Sequence, residues 1–137
     1  MSEELEKNKQ VVRAFLAALG KGDVDGLAQV LDPTIQAVAT GTSFMSGTRG
    51  YDEILSTAGT LGTITKNGID FQILNLTAEE DRVSAEVRGK STLTNGTPYN
   101  NEYHFLFTVR GGRIVKISEY FCTKLVEDAF APLMAQQ

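Results

Sequence analysis

Read as a β-strand, R-I-V-K-I-S-E-Y-F (residues 113–121) places Glu119 on one side with Val115, Ile117 and Phe121, a single carboxylate in an otherwise apolar row. Among Ile117, Phe121 and Phe105 that carboxylate loses hydration, which pushes its pKa up toward that of a working general acid or base. The preceding run, Y-N-N-E-Y-H-F-L-F-T-V-R, puts Tyr103 on the same side, where its hydroxyl can hydrogen-bond Glu119 or polarise a ligand carbonyl. Asn101 is a third inward polar group. The alternative for Glu119 is a carboxyl satisfied by backbone N–H groups or by Tyr103, with no chemistry attached. His104 is the only histidine, and alternation turns it outward beside Glu102 and Arg110. Cys122, the only cysteine, has no evident base to activate it and reads as a semi-buried structural thiol. Arg49 and Tyr51 flank a Ser/Gly/Thr loop, where they could gate a pocket or pair with an anion, with surface placement as the default.

Several elements must position these groups. The two runs flank Gly111-Gly112, the signature of a hairpin with a primed turn. Before them, Arg82 to Leu93 alternates with Val83, Ala85, Val87 and Gly89 on one face, and Asn95-Gly96 supplies the next turn. F-Q-I-L-N-L, within residues 64–76, is a further strand behind a possible turn at Asn67-Gly68, and Thr77 to Asp81 reads as an acidic turn. Upstream, Leu5, Val12, Phe15, Leu16 and Leu19 recur at helical spacing, and Gly20 and Gly22 end that helix. Asp23 caps a short second helix that Asp32-Pro33 stops. Ile35 to Thr40 is a short strand, Gly41 to Gly50 a loop, and Thr48 to about Ala58 a third helix with Tyr51, Ile54 and Leu55 on one side. Leu125 to Met134 is a short terminal helix or tail limited by Pro132. The expected architecture is α+β: helices on one face of a curved antiparallel meander, with Glu86, Arg88, Glu102, His104 and Thr108 on the other.

At 137 residues the chain reads as one domain spanning 1–137, with an ordinary 42% hydrophobic content. A net charge of −4 argues against nucleic acid as a partner. No apolar run suits a membrane span, and the charged N-terminus has no signal-peptide centre. One cysteine excludes an internal disulfide and fits a reducing cytoplasm; with one histidine it also excludes a Cys/His zinc site. No metal or cofactor is expected.

The residues V-V-R-A-F-L-A-A-L-G-K-G-D-V-D-G-L, then S-G-T-R-G-Y-D-E-I-L, then G-G-R-I-V-K-I-S-E-Y-F resemble, in that order, the nuclear transport factor 2 superfamily. The branch they resemble is the SnoaL-like, ketosteroid-isomerase-like group. The resemblance implies a cone in which a curved antiparallel sheet wraps the N-terminal helix around a deep pocket, often in a homodimer formed through the outer sheet face. The superfamily includes isomerases, polyketide cyclases, epoxide hydrolases, dehydratases and non-catalytic modules, so the fold alone does not give a function. The isomerase's oxyanion-hole tyrosine falls at Phe15, its catalytic-base aspartate at Ala37 and its protonated aspartate at Tyr103. The base is therefore missing, and only Tyr103 can still donate a hydrogen bond. No inward Asp or Arg on the strands matches the Asp-Arg-Asp set of the epoxide hydrolases. Many SnoaL-like sequences carry Asp where this one has Cys122.

Small inward residues on the 82–93 strand face Phe15, Phe71, Phe105, Phe107 and Phe121, which suggests an apolar chamber for a small hydrophobic or polycyclic ligand. Its expected lining is Phe15, Ala37, Tyr51, Leu55, Phe71, Val87, Asn101, Phe105, Ile117 and Phe121, with Glu119 as acid/base and Tyr103 as donor. The expected chemistry is cofactor-independent isomerisation, cyclisation or dehydration. The reading from a different class is a non-catalytic dimeric binding or association module.

Overall fold

The computed structural model describes residues 2–134. Helix α1 (Ser2–Lys21) and α2 (Val24–Val30) lead into β1 (Leu31–Ala39), β2 (Gly47–Arg49) and α3 (Tyr51–Ile64). The chain then runs as β3 (Asp70–Glu79), β4 (Arg82–Thr92), β5 (Pro98–Arg110) and β6 (Arg113–Phe121), and closes with α4 (Thr123–Met134). The strands form one open, curved six-stranded sheet in the order β2-β1-β6-β5-β4-β3. This is the expected α+β arrangement, with one difference: β1 pairs with β6 in parallel, so the sheet is mixed.

Helix α1 lies on the concave face because its apolar stripe has nowhere else to go. Val12, Phe15 and Leu16 are buried, and Phe15 meets Phe107 of β5 edge to face with ring centroids 5.4 Å apart. Gly20 is still helical, contrary to the expectation that it ends α1; the left-handed residue that does is Gly22, at φ 68°. Gly20 serves close approach instead. Its carbonyl accepts from Ile69 N at 2.8 Å, and a Cβ at Gly20 would collide with the Ile69 carbonyl oxygen. Asp23 caps α2 as expected, its side chain accepting from Gly26 N at 3.0 Å.

Alternation holds on β4 and β5: Val83, Ala85, Val87, Phe105, Phe107 and Val109 are buried. Gly111 and Gly112 both have positive φ (58° and 78°), as a type I′ turn requires. On β6 the pattern slips. Thr108 pairs with Lys116 but Val109 pairs with Ile114, so Val115 is an extra residue. The bulge puts Ile114 in the core (0% exposed) and leaves Val115 half-buried, reversing the expected faces of these two while keeping Ile117 and Glu119 inward. Three spans also differ from expectation. β1 begins directly after α2 and includes Asp32 and Pro33, β3 continues to Glu79, and α3 runs on to Ile64. Pro132 does not stop α4, which passes through it. No helix among the described residues is long and apolar enough to cross a membrane.

Candidate functional site

The concave face holds a cavity of about 120 Å³ between the sheet, α1, α3 and α4. It exists because β1 contributes only methyl groups there. Ala37 pairs with Ile117 and Arg49, and Ala39 pairs with Glu119, so small side chains separate the longer ones on β2 and β6. Phe71, Tyr103 and Phe105 form the opposite wall. Tyr103 stacks on Phe105 at 5.3 Å and 10°, and Phe71 meets Tyr103 edge-on at 5.6 Å. Val126 and Phe130 of α4 close one end. An apolar void of about 150 Å³ holds one benzene ring, so the inner space is of the size of a single ring.

Glu119 opens into this space. Its backbone is fixed, since its carbonyl accepts from Thr40 N at 3.1 Å and Thr40 Oγ1 at 2.9 Å. Among the described residues its carboxylate joins no hydrogen bond or ion pair, and no sealed polar atom lacks a partner, so the carboxylate oxygens face the cavity. The surface that Glu119 retains is turned to that narrow apolar space, and desolvation therefore dominates. Burial raises its pKa to about 7, partly opposed by the positive charge of Arg49. Arg49 also lines the cavity, and its Nη2 donates to the Met45 carbonyl at 2.8 Å.

Tyr103 stands diagonally across the β5–β6 pair from Glu119, because Phe105 pairs with Glu119 and Tyr103 with Phe121. Burial, together with the charges of Tyr99 and Glu119, holds the Tyr103 phenol above the usual tyrosine range, so it remains protonated and a donor. Its oxygen lies 2.9 Å from the Tyr99 hydroxyl. Desolvation also raises the pKa of Tyr99.

A SnoaL-like domain model matches residues 12–117. The chain belongs to the SnoaL-like family. Over 121 residues, 88% of this chain and 92% of the other, it is 23% identical to an uncharacterised Mycobacterium tuberculosis protein, Rv0034. Among solved structures, PrhC from Penicillium brasilianum superposes with a TM-score of 0.85 at 18% identity, covering 97% of this chain and 91% of that one. A candidate isomerase from Bacillus subtilis superposes at 0.81 with 22% identity, covering 93% and 95%.

In this SnoaL-like chain the three positions matched to the ketosteroid isomerase machinery, Phe15, Ala37 and Tyr103, line one cavity. Phe71, Phe105, Ile117, Glu119 and Phe121 join them there. Four residues expected in the lining do not. Val87 is sealed in the main core. Leu55 and Tyr51 pack beside that core, and the Tyr51 hydroxyl lies 3.5 Å from the Ala28 carbonyl. Asn101 is 3% exposed and spends its amide on neighbours. Alternation gave the correct face for Val87 and Asn101 but says nothing of depth along a strand.

Arg49 corrects the expectation that no inward arginine exists: it sits on β2, within the stretch read as loop. Tyr99 and the α4 residues were missed as lining. Tyr99 was recoverable from its two-residue spacing to Asn101, and α4 from the helical spacing of Val126, Ala129 and Phe130. Cys122 is exposed, contrary to the semi-buried expectation, because it lies in the link between β6 and α4. His104 faces outward as expected, its Nε2 lying 2.6 Å from Ser84 Oγ.

Proposed function

We propose that this SnoaL-like protein binds a small, ring-sized hydrophobic molecule in the cavity and moves a proton on it without a cofactor. Glu119 is the acid/base, and Tyr103 is the donor that stabilises charge developing on a ligand oxygen. One observation carries this reading: a carboxyl with no partner among the described residues opens into an apolar cavity, with a pKa raised to about 7. A group with that pKa exists in both forms near neutrality, which is what alternately taking and returning a proton requires. Arg49 favours the ionised form and offsets negative charge in the complex. The isomerase assignment of the B. subtilis neighbour supports a reaction of this class.

The test needs no natural substrate. Cyclohexanone incubated with the protein in D2O reports abstraction of its α-protons by NMR. Exchange above the buffer rate that falls to that rate in Glu119→Gln supports the proposal. Binding without exchange leaves the cavity as a receptor site and removes the chemistry.

The outer sheet face supports a second element of the reading, a homodimer. Leu106 and Tyr120 are exposed there, 36% and 50%, beside the polar row of Glu86, Glu102 and His104. A non-catalytic association module is the reading that this face favours if the exchange test fails.

A further inference from the structure

The cavity carries two opposite charges that do not close on each other. Arg49 of β2 and Glu119 of β6 both line it, and β1 runs between them. Ala37 pairs with Arg49 and Ala39 with Glu119, so the two charged residues stand two strand spacings across and two residues along from each other, about 12 Å between Cα atoms. The side chains in that interval are methyl groups, which leave it to the cavity. Arg49 is near enough for its charge to lower the Glu119 pKa, yet among the described residues neither forms an ion pair.

The donors of Arg49 are mostly unspent. A guanidinium has five N–H groups, arranged so that two pairs can each grip a carboxylate. Among the described residues Arg49 makes one hydrogen bond, from Nη2 to the Met45 carbonyl at 2.8 Å. That bond ties the 40–46 segment to β2 and holds the guanidinium beside the cavity. One bond occupies one pair at most, so a complete fork remains.

Charge decides what fits against it. The other titratable groups lining the cavity are Tyr99 and Tyr103, which burial keeps protonated, while α1, α3, α4 and β3 present uncharged side chains. With Glu119 protonated, the wall carries one positive charge in an apolar surround, and one negative charge on a ligand restores neutrality. A phosphate monoester, close to doubly charged at neutral pH, would leave an excess negative charge. A cation would meet Arg49 with nothing to offset it.

We propose that the cavity takes ring-sized monocarboxylates, with the apolar ring against Phe71 and Phe105, the carboxylate on the remaining fork of Arg49, and Glu119 in its protonated form. The proposal rests on the cavity-binding reading above and adds the substrate class and the residue that selects it. An ionised Glu119 would set a second negative charge across the same small space, so protonation of Glu119 and binding of the anion favour each other. Glu119 titrates at about 7, and the affinity for the anion therefore falls as pH rises through neutrality.

The experiment uses the full chain and three probes of one shape: benzoate, neutral benzamide and the benzamidinium cation. Each keeps its charge from pH 6 to pH 8, and affinities come from calorimetry. At pH 6 wild type binds benzoate at least about ten-fold more tightly than benzamide, the scale of one hydrogen bond to a charged group, and binds benzamidinium more weakly than either. Between pH 6 and pH 8 the benzoate-to-benzamide affinity ratio falls about ten-fold as Glu119 loses its proton, and in Glu119→Gln it holds its pH 6 value. In Arg49→Met the ratio falls to about one. A wild-type ratio near one, a ratio flat with pH, or a ratio that a folded Arg49→Met protein leaves unchanged overturns the proposal, while binding of benzamide keeps the cavity reading. Should Arg49→Met not fold, the wild-type ratio and its pH dependence decide the matter. Binding of none of the three probes overturns the cavity reading and this proposal together.

Discussion

Replacing Glu119 by Gln isolates the energetic consequence of enclosing a carboxyl in the cavity. In the unfolded chain Glu119 titrates at its ordinary value of 4.5, and in the folded protein at about 7. Between these values the folded state binds more protons than the unfolded state, so stability falls as pH rises. The stabilisation relative to alkaline pH is complete below about pH 4.5 and is lost as pH passes through about 7. At about 1.4 kcal/mol per pH unit, the interval from 4.5 to about 7 corresponds to about 3 kcal/mol. For a chain of 137 residues that is about 10 °C in Tm. Glu119→Gln keeps the shape and removes the titration. Thermal unfolding of both proteins from pH 5 to pH 8 gives the difference directly, since every other titrating group is shared and cancels. The variant should match wild type near pH 5 and exceed it by up to about 10 °C at pH 8. A Tm difference that stays constant across the range would refute the desolvated carboxyl and, with it, the basis for proton transfer by Glu119.

The same titration reads the neighbour: Arg49→Met should move the pH midpoint of the Glu119-dependent stability upward, because the Arg49 charge lowers that pKa; a midpoint that stays put or falls counts against their coupling. Gly20→Ala should destabilise by about 1–3 kcal/mol in urea unfolding, since its Cβ meets the Ile69 carbonyl, although helix propensity alone favours Ala by about 1 kcal/mol. Phe15→Ala should cost about 3–5 kcal/mol in the same assay, as its ring is 2% exposed and packs on Phe107. If the proposed homodimer forms through the outer sheet face, light scattering gives a dimer mass for wild type and a monomer mass for Leu106→Glu combined with Tyr120→Glu, with the circular dichroism spectrum unchanged; a wild-type monomer, or a dimer mass that the two substitutions leave unchanged, refutes that interface.

Most of the long strands was legible because a half-buried strand writes its faces into alternate residues. Val83, Ala85, Phe105 and Phe107 fell where the spacing put them. Where the local rule depends on a partner, it failed. The bulge at Val115 arises from the pairing of β6 with β5, and nothing in R-I-V-K-I announces it. β2 is three residues long and is ordered by pairing with β1, so it read as loop, and Arg49, though named as a residue that could gate a pocket, fell to the surface by default. The parallel pairing of β1 with β6 has no local signature at all. Within the candidate site, Glu119 was visible as a charge breaking an apolar row, and Tyr103 as a hydroxyl on the same face. The role of Asn101 was not visible, because inward orientation does not distinguish a side chain that meets a ligand from one consumed by the backbone of the next strand.

The strand order has a consequence for how the chain comes into being. β6 lies between β1 and β5, so the first strand made waits for the last before the sheet can join. A chain emerging from the ribosome as far as Arg110 can zip β3, β4 and β5 together, yet β1 and β5 each still present an open edge, the kind of surface that recruits other chains. Closing the gap brings Leu31 to Ile114 and Ala39 to Glu119, contacts between distant parts of the sequence that form slowly. Vulnerability to aggregation during synthesis is thus concentrated in the interval before residues 113–121 are made. The same order delays the burial of Glu119, which arrives on the strand that joins the sheet, with the α4 residues that close one end of the cavity still to follow.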